Sequence, residues 1–370
     1  MEKLKKLIFY ICFILIFCNT NTILSQNTTW KVWNSNNSNL PPQTTIFSLI
    51  LDSNGIVWAA SNKGLLKFNG NNFIIYDTIN SPMKSNFVVS LTKDFSGNIW
   101  MATVGNNASI MKFDGVNNWN YYNQYNTNIY SGLQLCITTD KTNNIWAHFR
   151  KLLKYDGNTW QTYDSTNSPF KDGTGWEIFV DKNNNKWISK DFQGIFKYTE
   201  NNNTWSNYTT QNSGIPPGDK RKIREDSFGN IWISVWSSGL TKFNLDSNTW
   251  QNWTPHNSNI ISGYIQGLHI DKKNIKWLGF NSGGVGLSSF NDTIYTIYNM
   301  PINGTDVRDI KEDKYGNLWL GTTNGLMQFN KTGIVSIKNE NSSIIKDFEI
   351  TRIYPNPFNP KTKICLLYTS

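Results

Sequence analysis

The stretch "GNLWLGTTNGLMQFN", Gly316–Asn330, has two near copies in the same chain: "GNIWISVWSSGLTKFN" at Gly229–Asn244 and "GIVWAASNKGLLKFN" at Gly55–Asn69. Aligning on its first Trp finds seven copies, at Trp58, Trp100, Trp146, Trp187, Trp232, Trp277 and Trp319, with spacings of 42, 46, 41, 45, 45 and 42 residues. That period suits four short strands per unit. Six residues before each Trp stands an Asp (Asp52, Asp94, Asp140, Asp181, Asp226, Asp271, Asp313), and three residues after each Asp stands Gly or Asn. An Asp whose oxygen bonds amides two residues on, followed by a residue that tolerates positive φ, is turn chemistry.

Four strands, a to d, can be read in each unit. Strand a carries an aliphatic residue three before the Asp, as at Leu49, Ile137 and Ile223, and strand b contains the Trp. Strand c holds an aromatic (Phe68, Phe113, Tyr155, Tyr198, Phe243, Phe290, Phe329), and strand d an aromatic pair three apart, such as Trp119 with Tyr122 or Trp250 with Trp253. Asn69-Gly70, Asp114-Gly115 and Asp156-Gly157 predict two-residue hairpins between c and d. Sheets that are apolar on both faces must stack, and radial stacking of seven predicts an all-β, seven-bladed β-propeller of four-stranded antiparallel blades. Eight d-type motifs serve seven a-b-c sets. Trp30 with Trp33 precedes the first blade, and Ile334 with Ile337 follows the last. The larger apolar area of two Trp predicts that the N-terminal strand closes the last blade beside Met327–Phe329.

The ends read differently. Lys3, Lys5 and Lys6 precede an apolar run from Leu7 to Phe17, with Ser25 at a plausible cut before Gln26. This predicts a signal peptide over residues 1–26, with no integral membrane segment once it is removed. Lipid attachment at Cys18 is disfavoured by the bulky Phe17. The propeller is expected over residues 27–343, and a linker with a sorting segment over 344–370. Aromatic residues are 14% of the chain and charged residues only 16%, a balance for a packed core rather than a disordered chain. The formal charge of +9 is scattered and forms no long basic run, which argues against nucleic-acid binding.

The units resemble the two-component regulator propeller repeat, best at "DKYGNLWLGTTNGLMQFN" (Asp313–Asn330). The resemblance implies an exported sensor or binding propeller; in that family such propellers often precede a membrane segment and a histidine kinase. "IYPNPFNPKTKI", Ile353–Ile364, is similar to the opening of a type IX secretion (type A) C-terminal sorting domain of Bacteroidota, through Pro355, Asn356, Pro357, Asn359 and Pro360. It implies the type IX machinery as partner and the cell surface or medium as destination, reached through the periplasm. The last six residues, "CLLYTS", resemble a translated sequencing adapter, so the natural chain is expected to continue differently beyond Ile364.

The repeated Asp are expected to be structural, since calcium needs six or more converging oxygens. No catalytic residue, cofactor or metal is implied. The three His (His148, His256, His269) form no H-x-x-x-H pair, and there is no G-x-S-x-G or phosphate-binding glycine loop. Antiparallel order puts the a-b and c-d turns on one face and the b-c and d-a loops on the other. The b-c loops vary in length, and such variation marks a binding face. Two residues after the Trp, six copies have small side chains but the third has His148. Arg150, Lys190, Trp236, Phe280 and Asn281 follow in or beside these loops. These six residues are expected to line one concave surface for a glycan, peptide or protein ligand. The reading is a non-catalytic binding module. Its alternatives are a sensor fragment of a hybrid two-component system and a carbohydrate-active propeller lyase or hydrolase.

Overall fold

In the computed structural model the described residues are 29–332, except 106, 124–135 and 282–285, together with the strand pair 353–354 and 363–364. The signal-peptide segment, the alternative closing residues Ile334 and Ile337, and the sorting residues Pro355, Asn356, Pro357, Asn359 and Pro360 lie outside them. Ile353–Tyr354 pairs antiparallel with Lys363–Ile364 in a separate unit of the chain.

The chain is all-β, a seven-bladed propeller of four-stranded antiparallel blades. The first blade is Ile46–Leu51, Val57–Ser61, Gly64–Phe68 and Phe73–Tyr76, in sequence order from the centre outward. Five more repeat it. The seventh takes Val307–Glu312, Leu318–Thr322 and Gly325–Asn330 from the C-terminal side and Thr29–Trp33 from the N-terminus, paired Trp30 with Phe329 and Trp33 with Leu326. The closing strand is therefore the expected one. The a strands neighbour one another around a closed ring that encircles a central channel.

The repeated Trp explains the stacking. Its ring lies on the second aromatic of strand d in its own blade: Trp100 on Tyr122 at 5.6 Å, Trp187 on Tyr208 at 5.8 Å, Trp232 on Trp253 at 5.2 Å. It also meets the strand c aromatic of the next blade, as Trp58 does Phe113 at 6.0 Å and Trp319 does Phe68 at 6.1 Å. Each blade contact thus buries two aromatic faces with one residue. The indole N–H, which burial would otherwise orphan, donates to the turn Asp at 2.8 to 3.0 Å in blades two to seven. The invariant six-residue Asp–Trp spacing is this bond.

Between strands c and d the expectation of two-residue hairpins is corrected. Four residues separate Phe68 from Phe73. Asn69 Oδ1 accepts the N–H of Asn71 and Asn72, and Asp114 Oδ1 those of Val116, Asn117 and Asn118. The side chain competes for the amides that a tight turn would use, and lengthens the loop.

Candidate functional site

Strand b stays in the sheet for three residues past its Trp. Ser61, Thr103, Lys190, Val235, Phe280 and Thr322 end their strands there, and all are buried between blades. This corrects the expected surface. Phe280 packs with Trp232, Leu240 and Leu278. His148, two past its Trp, is fully enclosed, edge-on to Phe170 at 5.1 Å and against the backbone of Gly175. Burial, then the nearby Lys190 charge, lowers its pKa to about 3. The Lys190 ammonium lies 3.9 Å from the centre of the same Phe170 ring, and burial lowers its pKa to about 8. Neither imidazole nitrogen, nor the Lys190 ammonium, has a hydrogen-bond partner.

The fourth residue after the Trp lies in the loop: Arg150, Asp191, Trp236 and Asn281. Arg150 is exposed, and Asn281 is half-buried with its N–H on the carbonyl of Tyr264 at 3.0 Å. Trp236 belongs to a cluster at the channel mouth. The Arg221 guanidinium lies between two indoles, 3.1 Å from the Trp176 ring centre and 4.4 Å from that of Trp236. Tyr264 meets Trp236 edge-on at 5.0 Å and is 41% exposed.

The chain fixes each part locally. Gly218, at φ 116°, and Gly263 let backbone close onto the Trp236–Ser237 turn, where a Cβ would fall 2.2 Å from the Trp236 carbonyl oxygen and 2.5 Å from that of Ser237. Asp191 Oδ1 accepts the Trp176 indole N–H at 2.6 Å, and Asp219 accepts from Arg221 at 3.1 Å. Between Asp191 and Gln193, Phe192 is fully exposed at φ 58°, a backbone that a bulky residue rarely adopts.

Trp176, Arg221, Gln266 and Arg308 stand five residues before their turn Asp, and sequence reasoning missed them. In blades five, six and seven a bulge in strand a at this residue turns it out of register. The signal was available: this column reads Phe47, Val89, Trp176, Arg221, Gln266 and Arg308 among otherwise regular neighbours. Arg221 Nε, Arg308 Nε and Gln266 Oε1 are buried without partners. Burial, reinforced by Arg308, lowers the Arg221 pKa to about 10 against the opposing pull of Asp219 and Asp191. Blades one and two face this polar side with Phe47 stacked on Phe87 at 5.1 Å.

A family model described as "Two component regulator propeller" matches residues 301–324. No curated protein sequence matches the chain. Among solved structures it is similar to the extracellular domain of a hybrid two component system from B. thetaiotaomicron, with a TM-score of 0.66, 20% identity, and coverage of 93% of this chain and 46% of that one. The extracellular domain of a one component system from the same organism gives 0.61 and 18%, covering 77% and 38%. Virginiamycin B lyase from Staphylococcus aureus gives 0.65 and 15%, covering 82% and 99%. This chain spans less than half the length of the two extracellular domains. At these identities the likeness is one of fold. Among the described residues no helix is long and apolar enough to cross a membrane.

Proposed function

We propose that this propeller is an exported binding module whose ligand, a glycan, lies across the channel mouth on Trp236, Tyr264 and Phe192. The observation that carries the reading is the Arg221 guanidinium held between Trp176 and Trp236. It fixes two large flat rings beside donors that have no internal partner. Flat apolar faces beside a few unsatisfied polar atoms suit the alternating apolar and hydroxyl surfaces of a sugar. In this reading Asn281, bonded to Tyr264, borders the surface, while His148, Lys190 and Phe280 are buried and take no direct part in binding.

Delivery by type IX secretion, through the segment holding Pro355 to Pro360, belongs to the same proposal. Substituting Asn356 and Pro357 in the uninterrupted gene and following surface exposure by protease shaving tests it. A sensor role is the second reading, favoured by the shared fold with extracellular domains of two-component systems.

The binding test is a glycan array followed by calorimetry on the hit. Trp236→Ala and Arg221→Ala are expected to weaken binding at least about tenfold, or about 1.4 kcal/mol, Trp236→Ala with the melting temperature nearly unchanged. Unaltered affinity in both variants overturns the site. A peptide rather than a sugar as the only hit overturns the ligand class.

A further inference from the structure

A strand that lines a channel presents backbone donors on its free edge, and those donors need acceptors. At the residue three before the turn Asp, the N–H points into the channel. In four blades it is accepted by the side chain four before the Asp in the preceding blade. Leu91 donates to Ser48 Oγ at 3.4 Å, Ile137 to Ser90 Oγ at 3.2 Å, Ile223 to Glu177 Oε2 at 2.5 Å and Leu49 to Asp309 Oδ2 at 2.9 Å.

In the third blade the acceptor position holds the thiol of Cys136, facing Ile178, and beyond Glu177 the device is interrupted twice in succession. Blade five has Lys222 at the acceptor position, which carries only donors, and blade six has Gly267, with no side chain. The donors they would serve are Leu268 and Ile310. Both lie in strands with the same bulge and register as blades one and two, so their N–H groups have the same aim.

Next to this gap, three cations (Lys222, Arg224, Lys311) and two carboxylates (Glu177, Asp309) line a cavity of about 230 Å³, whose lining does not include Leu268 or Ile310. Glu177 Oε1 lies 2.8 Å from Arg224 and 3.7 Å from Lys222, and Asp309 Oδ2 lies 3.8 Å from Lys311. One positive charge is left over. Asp309 Oδ1 is buried with no partner, so it calls for a donor. A ligand that satisfies both needs is an oxyanion that still carries a proton.

We propose that this cavity of the channel binds one phosphate-type oxyanion. Its oxygens accept from Lys222, Arg224 and Lys311, and its P–O–H donates to Asp309 Oδ1. Sulfate, which has no proton near neutral pH, leaves that carboxylate oxygen against a bare anion. Free phosphate keeps such a proton at pH 7, whereas a phosphate monoester keeps it only in its monoanion, the minor form at that pH.

Calorimetry of the full chain at pH 7 and constant ionic strength tests the site, with inorganic phosphate, methyl phosphate, sulfate and chloride as probes. One phosphate site is expected, with sulfate at least about tenfold weaker. Methyl phosphate at parity with phosphate assigns the site to esters as well; its failure restricts the site to the free ion. Lys222→Ser, which removes one of the three cations, is expected to weaken phosphate about tenfold. Asp309→Asn, which retains an acceptor for Leu49 and gains a donor, is expected to bring sulfate level with phosphate. No phosphate binding, sulfate equal to phosphate in the parent chain, or undiminished binding in Lys222→Ser overturns the proposal. The mouth variants Trp236→Ala and Arg221→Ala leave this site in place, so the two proposals fail separately.

Discussion

Asn184 Oδ1 accepts the backbone N–H of Lys141 at 2.9 Å, across the seam between the third and fourth blades. The same bond joins Asn143 to Phe95 and Asn274 to Ser227. Each of these Asn occupies the turn position with φ near 60°, where the other four blades have Gly. The side chain therefore does two jobs: it tolerates the turn and fastens the next blade. Asn184→Gly keeps the backbone conformation and loses the seam bond. It is expected to cost about 1 kcal/mol, read as a lowered urea midpoint with unchanged slope.

Closure by the N-terminal strand makes Trp33 a structural keystone. Its ring stacks on Trp319 at 5.5 Å and tilts against Phe68 at 4.8 Å, touching the last and the first blade together. Trp33→Ala is expected to cost about 3–5 kcal/mol. Trp236→Ala, with its ring at the mouth, should cost far less. Melting curves of the two variants side by side check the contrast.

His148 gives the fold an acid-sensitive element. Its pKa falls from 6.5 unfolded to about 3 folded, so the unfolded chain binds the proton first as pH drops. The stability that its neutral form contributes is complete above pH 6.5 and is lost as pH falls toward 3, at about 1.4 kcal/mol per unit. Lys190 above the same Phe170 ring, with Asp172 and Asp191 nearby, completes the charges around it. His148→Leu is expected to flatten urea midpoints between pH 6.5 and 4 relative to the parent chain. Equal slopes would refute this.

Two buried turn carboxylates, Asp94 and Asp140, push in the same direction. Burial alone would raise the Asp140 pKa, but the Trp146 indole, Asn144 and Lys186 outweigh it and hold the carboxyl well below its usual range. Lys186, itself buried, lies 3.1 Å from Asp140 and 2.8 Å from Glu200. The depressed pKa means stability present above about pH 4 and lost below it. Asp140→Asn leaves the Lys186 charge with Glu200 alone. It is expected to destabilise by several kcal/mol at pH 7 and by much less at pH 3, as guanidinium titrations at both pH values would show.

The blades were legible because the Asp–Trp pair and the aromatic ladder repeat a single packing solution, and seven agreeing copies outvote any one faded copy. Blade closure was legible from the bulk of Trp30 and Trp33. The binding face was misread by one residue. Lys190 and Phe280, three past their Trp, seem to open the loop by composition, yet the strand has not ended and the next blade covers them. Trp236, at the fourth position, is half-buried against Arg221 and Tyr264. Arg221 was hidden because a bulge, which turns one residue out of an alternating strand, leaves no local mark beyond irregularity in its column, and Trp176 because it stands two residues before its strand begins at Ile178. The inter-blade role of Asn184 was hidden too, since turn geometry accounts for Asn there without any partner.

The closing pair also decides how the ring bears load. Thr29 lies opposite Asn330, and Trp33 opposite Leu326, so the chain enters and leaves the last blade at the same end of two antiparallel strands. Tension between the two ends of the propeller falls on one hydrogen-bonded pair at a time, starting with Thr29 and Asn330, instead of being shared along the whole strand. The ring that aromatic stacking holds together is, along this axis, a zipper. It is expected to open at its join before the six other blades unfold.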